Sequence, residues 1–187
     1  VKTAAGGSAR LITESNVIIV LPPNSLHEVA PPATTSGGER QHKVKLIYGD
    51  ATVMTQNGRA QIQTVAASAT LDANSEAFVS VSDKRTEVRT DRGSATVATA
   101  DGQSFALNPL QKARISEGRP VELDQVLPAP RLMEPVNNKT FVYQANLTVN
   151  LQWEKIPGAV QYLVQVSGSA FFVASFMAFG VSKLVLP

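Results

Sequence analysis

The chain has no cysteine. Disulfide scaffolds, thiolate metal sites and dithiol redox centres are therefore excluded. Histidine is almost as scarce, with His27 and His42 the only two. Two imidazoles without a thiolate fall short of a zinc set, so no metal is expected. Aromatic residues make up 6% of the 187 positions, which leaves few candidates (Tyr48, Phe141 and Tyr143) for a sugar-stacking platform. Net charge is +2, too small to mark a nucleic-acid or anionic-membrane footprint. No apolar run reaches about 18 residues, so no stretch reads as a spanning helix. There is no phosphate-cradling glycine loop, and no serine sits in a nucleophile elbow. Asp50, Asp72, Asp91 and Asp101 fall at turn positions, where an Asx side chain serves backbone donors. Paired glycosidase carboxylates need a cleft, and a narrow β-coil is expected to offer none. These absences point to a protein that is no enzyme and takes no cofactor.

Hydrophobic residues form 43% and charged residues 17% of the chain, enough apolar content for a folded core. A glycine-headed unit recurs: Gly7-Ser8-Ala9-Arg10-Leu11, Gly49-Asp50-Ala51-Thr52-Val53 and Gly93-Ser94-Ala95-Thr96-Val97. Gly7 to Gly49 is 42 residues, and Gly49 to Gly93 is 44. After each glycine, apolar and small polar residues alternate, which places one set inward and the other toward solvent. Ser15-Asn16, Asn57-Gly58 and Asp101-Gly102 then close the units with tight-turn chemistry. A repeat of this length predicts an all-β, stacked, solenoid-like coil in which each unit buries its apolar row on the next. Gly7, Gly49, Gly93, Gly58 and Gly102 are its structural positions. Further strands are expected at Val17–Leu21, Lys43–Leu46, Gln61–Gln63 and Ala69–Leu71. Arg85 to Asp91 alternates charge sign along one face, as cross-strand pairs in solvent do. A basic patch of Lys84, Arg85, Arg89 and Arg92 is the competing reading of that stretch.

The succession of motifs resembles the FecR domain of bacterial envelope proteins. It is carried by Gly7-Ser8-Ala9, Val20 to Ser25, Lys45 to Val53, Thr64 to Leu71, Thr86-Glu87-Val88, Gly93 to Val97 and Ala106-Leu107. Ser68-Ala69-Thr70-Leu71 departs from the family's pattern. The resemblance implies an extracytoplasmic β-rich module for protein interaction and signalling, and no catalytic residue.

Pro120, Pro128 and Pro130 stiffen a linker, and a domain boundary is expected near Val126, between 1–126 and 127–187. Beyond it, Leu147–Trp153 and Gln161–Val166 read as strands around Pro157-Gly158-Ala159. Pro135, Trp153 and Tyr162 resemble the front half of a fibronectin type III or immunoglobulin-like sandwich. Trp153 and Tyr162 are its expected core, with the indole N–H needing a partner. Such a sandwich needs about 100 residues, so it is expected to be incomplete at its C-terminal end. Phe172, Phe176 and Phe179 have helical spacing, with a strand or loop as the alternative. Val181, Leu184, Val185 and Leu186 are expected to form an edge without a later strand to pair with, a template for association. The chain reads as a structural or interaction component of a bacterial envelope assembly, periplasmic or secreted, with other envelope proteins as partners. The alternatives are an extracytoplasmic regulator of the FecR anti-sigma type and a cell-wall polysaccharide binder.

Overall fold

The computed structural model describes residues 1–30, 33–34, 40–142, 148–167, 175–180 and 183–186; at 33–34, 40, 163, 165–167, 175–180 and 183–186 it describes backbone alone. Two compact units divide the chain, Val1–Val126 and Leu127–Pro187. Every described element is a strand.

The N-terminal unit contains β1 (Ala9–Ile12), β2 (Ile18–Leu21), β3 (Leu26–Val29), β4 (Ala33–Thr34), β5 (Arg40–Met54), β6 (Arg59–Gln63), β7 (Ala67–Leu71), β8 (Glu76–Ser82), β9 (Arg85–Arg92), β10 (Ala95–Thr99), β11 (Ser104–Leu107), β12 (Gln111–Ser116) and β13 (Glu122–Gln125). They form one curled sheet whose main path is β11-β10-β7-β6-β5-β8-β9-β12-β13. The long strand β5 joins its two halves. Before Gly49 it pairs with β3, β4 and β6; from Gly49 onward it pairs with β2 and β8. Period-two alternation turns the apolar residues of both halves inward. Ile62, Leu71, Val97 and Leu107 from one half share a single core with Ile19, Val53, Val79, Val88 and Ile115 from the other.

The three glycine-headed strands do not lie on one another. β1 pairs with β2, the second half of β5 with β2 and β8, and β10 with β7 and β11. What recurs is the change of sheet half. Gly49 and Gly93 both have positive φ, +87° and +71°. A Cβ on Gly49 would lie 2.6 Å from the Asn24 carbonyl oxygen, and one on Gly93 would lie 2.8 Å from the Asn74 carbonyl oxygen. Gly7 has neither feature; its hypothetical Cβ meets nothing closer than 3.4 Å. Asp101-Gly102 closes the β10–β11 hairpin with Gly102 at φ +87°, and Asn16 at φ 54° turns β1 into β2. Asn57-Gly58 does not make a hairpin. β6 runs parallel to β5, with Arg59 beside Gln41, so the turn carries the chain to the other half of the sheet.

The glycines work with a second repeat, Leu21-x-x-Asn24-Ser25 and Leu71-x-x-Asn74-Ser75, 50 residues apart. Asn24 and Asn74 adopt φ 58° and 57°, a region in which asparagine is tolerated. Ser25 Oγ accepts from the Asp50 N–H at 3.1 Å, and Ser75 Oγ accepts from the Ser94 N–H at 3.0 Å. A buried threonine completes each set. Thr3 Oγ1 accepts from the Ser25 N–H and donates to the Pro22 carbonyl, while Thr55 Oγ1 does the same with Ser75 and Asp72. These are two copies of one polar bolt, holding a sheet-changing loop against a sheet-changing glycine.

A third copy is degenerate. Leu107 is followed three residues later by Leu110, whose N–H donates to the Thr90 carbonyl at 2.7 Å as Asn74 N–H donates to Gln56. Leu110 is held at φ 63°, a conformation that costs a β-carbon residue about 1–2 kcal/mol. Leu110→Asn is therefore expected to stabilise the unit by about 0.5–1 kcal/mol. A rise in the urea midpoint at unchanged slope checks it; a fall would show that Leu110 packing outweighs the strain.

The C-terminal unit contains β14 (Leu132–Glu134), β15 (Val149–Trp153), β16 (Tyr162–Ser167), β17 (Ser175–Gly180) and β18 (Lys183–Leu186). They form a sheet ordered β14-β15-β18 and a β16–β17 pair. Residues 175–180 are a strand, registered Val166↔Phe176 and Leu163↔Phe179, and not the helix that the phenylalanine spacing allowed. A helix of that length is marginal alone, whereas pairing with β16 satisfies its backbone. The Phe172 position lies outside the described residues.

Candidate functional site

The outer face of β9 and β12 carries a lattice of paired charges. Arg114 Nε donates to Glu87 Oε2 at 3.0 Å and its Nη1 lies 3.6 Å from Glu122. Lys112 approaches Asp124 at 3.5 Å. Arg89 grips Asp91 with two nitrogens at 2.8 and 3.0 Å and lies over the Phe78 ring, 5.0 Å from its centroid. Lys84 pairs with Glu117. Of the stretch read as a basic patch, Lys84 and Arg89 are compensated, by Glu117 and by Asp91 of the same strand, while Glu122 and Asp124 of β13 serve Arg114 and Lys112 instead. Pairs this exposed add little to stability, because solvent screens them. Their consequence is a flat polar face. The Glu87 bond raises the already high Arg114 pKa, and the Gln125 N–H, followed by Lys112, holds Asp124 below the ordinary carboxylate range.

The unit also holds a cleft, which the expectation of a narrow coil did not foresee. Its volume is about 740 Å³. The cause is architectural. The polar bolt of Thr55, Ser75 and Ser94 joins the halves where β7 leads to β8 and β9 to β10. At the opposite ends of these strands the two halves separate. There the 64–66, 83–84, 100–103 and 117–121 connections surround the opening. Ile115, Phe105, Val121 and Ala66 supply apolar wall, and Asp101, Glu117, Lys84 and Arg119 supply charge. Asp101 is committed to its own turn. The Thr99 hydroxyl, then Gln103, hydrogen-bond its carboxylate and lower its pKa. Inter-sheet contact near this end includes a bond from the buried Thr86 hydroxyl to Thr64 Oγ1 at 2.9 Å. Asp50, Asp72 and Asp91 do not reach the cleft. Asp72 instead accepts from Ser94 Oγ at 2.8 Å and faces Arg59 at 3.3 Å.

Neither histidine forms part of this opening. Among the described residues no three of His, Asp and Glu gather as a metal site. His27 is buried in the core with both ring nitrogens unpartnered.

In the C-terminal unit, Trp153 and Tyr162 are buried and meet with ring centroids 5.6 Å apart at 59°. The Tyr162 hydroxyl accepts from the Ile156 N–H at 2.7 Å. The Trp153 N–H, for which a partner was expected, has none among the described residues. Leu184, Val185 and Leu186 belong to β18, which is not unpaired: it registers against β15 as Leu184↔Leu151 and Leu186↔Val149. Its other side is the rim of the three-stranded sheet. Val181 lies outside the described residues. Tyr48 and Phe141 are partly exposed, in different units, and Tyr143 lies outside the described residues.

No protein-family model matches the chain. No curated protein matches it either. Similarity appears among solved structures. Two crystal structures of a presumed anti-sigma factor from Parabacteroides distasonis superpose with a TM-score of 0.56 each, at 13% and 11% identity. The match covers 67% of this chain and 59% of those chains, so the aligned part spans under two thirds of their length. The likeness is one of fold, all-β and FecR-like.

Proposed function

We propose that the chain is a non-catalytic protein-interaction component of a bacterial cell-envelope assembly. The observation that carries this reading is the disposition of its ionisable groups. Outside the cleft, Arg89–Asp91, Arg114–Glu87 and Lys112–Asp124 are compensated pairs on an open sheet face, and in the cleft Asp101 and Glu117 are each engaged by a neighbour. Such a surface suits docking between polypeptides, by face packing or by strand addition at β11, β13 or β18. The C-terminal unit is read as a partial fibronectin-like sandwich serving the same end, located outside the cytoplasm.

A second reading, an extracytoplasmic regulator of the FecR anti-sigma type, is favoured by the structural likeness to the Parabacteroides distasonis protein. One experiment addresses both. Native gels of a gently solubilised envelope fraction are expected to show the protein in a complex well above its own mass. A free chain in the soluble cytosolic fraction would overturn the envelope reading. Deletion of the gene distinguishes the alternatives. Changed transcription of a defined promoter set with the assembly intact favours the regulator, and loss of the assembly with unchanged transcription favours the scaffold.

A further inference from the structure

The open end of the N-terminal unit is hollow on the scale of a small ligand. The 740 Å³ cleft is within the usual range for small-ligand sites, about 300–1,000 Å³. A second cavity of about 290 Å³ adjoins it, sharing Ser116, Arg119 and Pro120 as a common wall. The two differ in chemistry. The larger combines apolar side chains, Ile115 and Phe105 from facing strands among them, with polar and charged ones at its rim, and the greater part of its exposed surface is apolar. The smaller is polar, with Arg85, Arg114 and Arg119 against Glu87 and Glu122.

The charges of the smaller cavity are not fully matched. Arg114 binds both glutamates. Lys84 takes Glu117 at the mouth of the larger cavity. Arg85 and Arg119 have no ion pair or side-chain hydrogen bond among the described residues, although acids surround them. Three guanidiniums against two carboxylates leave one positive charge in the smaller cavity. That is the complement of a monoanion.

We propose that this pair of cavities binds an amphipathic monocarboxylate of the fatty-acid class. The alkyl chain lies along Phe105, Ile115 and Ala66, and the carboxylate sits at Arg119 and Arg85. Arginine suits that role because its planar fork meets a carboxylate through two N–H groups. The proposal rests on the N-terminal unit's geometry alone and does not depend on the envelope reading.

The test is calorimetric titration of the full chain with decanoate below its micelle concentration, with decanol and acetate alongside. Decanoate is expected to bind saturably at one site. Decanol is expected to bind about tenfold more weakly, the loss of a charge-assisted contact, and acetate not measurably. Arg85→Ser with Arg119→Ser is expected to reduce decanoate to the decanol level and leave decanol unchanged. Val65→Glu, on the exposed cleft rim, is expected to weaken both. Thermal unfolding of each variant verifies that it is folded, and the exposed positions of Arg85, Arg119 and Val65 make substitution there mild. Absent or non-saturating decanoate uptake, equal affinity for decanoate and decanol, or decanoate binding untouched by the double substitution would each overturn the proposal.

Discussion

Gly93→Ala is expected to destabilise the N-terminal unit by about 3–5 kcal/mol, while Gly102→Ala costs about 1–2 kcal/mol. The two glycines share a conformation, φ +71° and +87°. They differ in what surrounds them. Nothing lies within 4 Å of a Cβ on Gly102. A Cβ on Gly93 would meet Ser75 Cα at 2.7 Å and the Asn74 carbonyl oxygen at 2.8 Å, with Ser75 Oγ nearer still. Backbone cannot yield cheaply there, because Thr55 and the Ser94 N–H hold the Asn74-Ser75 loop in place. The conformational cost is common to both variants, so their difference isolates the steric part. Urea unfolding of both measures it. Equal losses would mean that the loop gives way freely and is no bolt. Gly49→Ala should follow Gly93→Ala, since Asn24 and Ser25 crowd it equally. Gly7→Ala should cost little.

These glycines show how much of the architecture could be read in advance. Alternation places residues such as Val53, Val79, Val88 and Val97 correctly inward, because burial with period two is a local property of a strand. The charge lattice was also legible, since alternating sign on β9 anticipates acids and bases across the ladder. Pairing partners were not local. Asn57-Gly58 has hairpin chemistry, but the strands on either side run parallel and belong to different partners, a choice made by the whole sheet. The Asn-Ser repeat was present in the sequence at 50-residue spacing and would have exposed the bolts. The glycine period is the more conspicuous repeat, although only two of its three members share a geometry. The cleft was invisible for a different reason. It arises where two sheet halves part, and no single segment encodes that separation.

His27 makes the unit acid-sensitive. It sits on β3, where the register shifts between Leu26 and His27. Simple alternation through Leu26-His27-Glu28-Val29 would turn Leu26 inward, yet His27 is the residue that is buried, 1% exposed. Its neighbours across the ladder, Leu46 and Val44, are aliphatic and buried. Burial, and then the Val1 ammonium bonded to the His27 carbonyl, lower its pKa from 6.5 to about 4. The imidazole is therefore neutral in the folded protein at pH 5–6, where the unfolded chain binds a proton. Unfolding takes up a proton in this window, so stability falls as pH falls from about 6.5 to about 4 and levels off below. The expected loss from this group is about 2 kcal/mol between pH 7 and pH 5, approaching 3 kcal/mol at pH 4. Titrating carboxylates add their own slope, and His27→Leu removes the imidazole without touching them. The stability difference between variant and parent, from urea unfolding at a series of pH values, should widen as the solution is acidified below pH 6.5. Its size at neutral pH reports a separate quantity, the cost of two buried ring nitrogens without partners against the fit of leucine in their place. A difference that stays constant from pH 7 to pH 4 would show that the histidine gains its proton in the folded core as readily as in the unfolded chain, through water reaching it between β3 and β5.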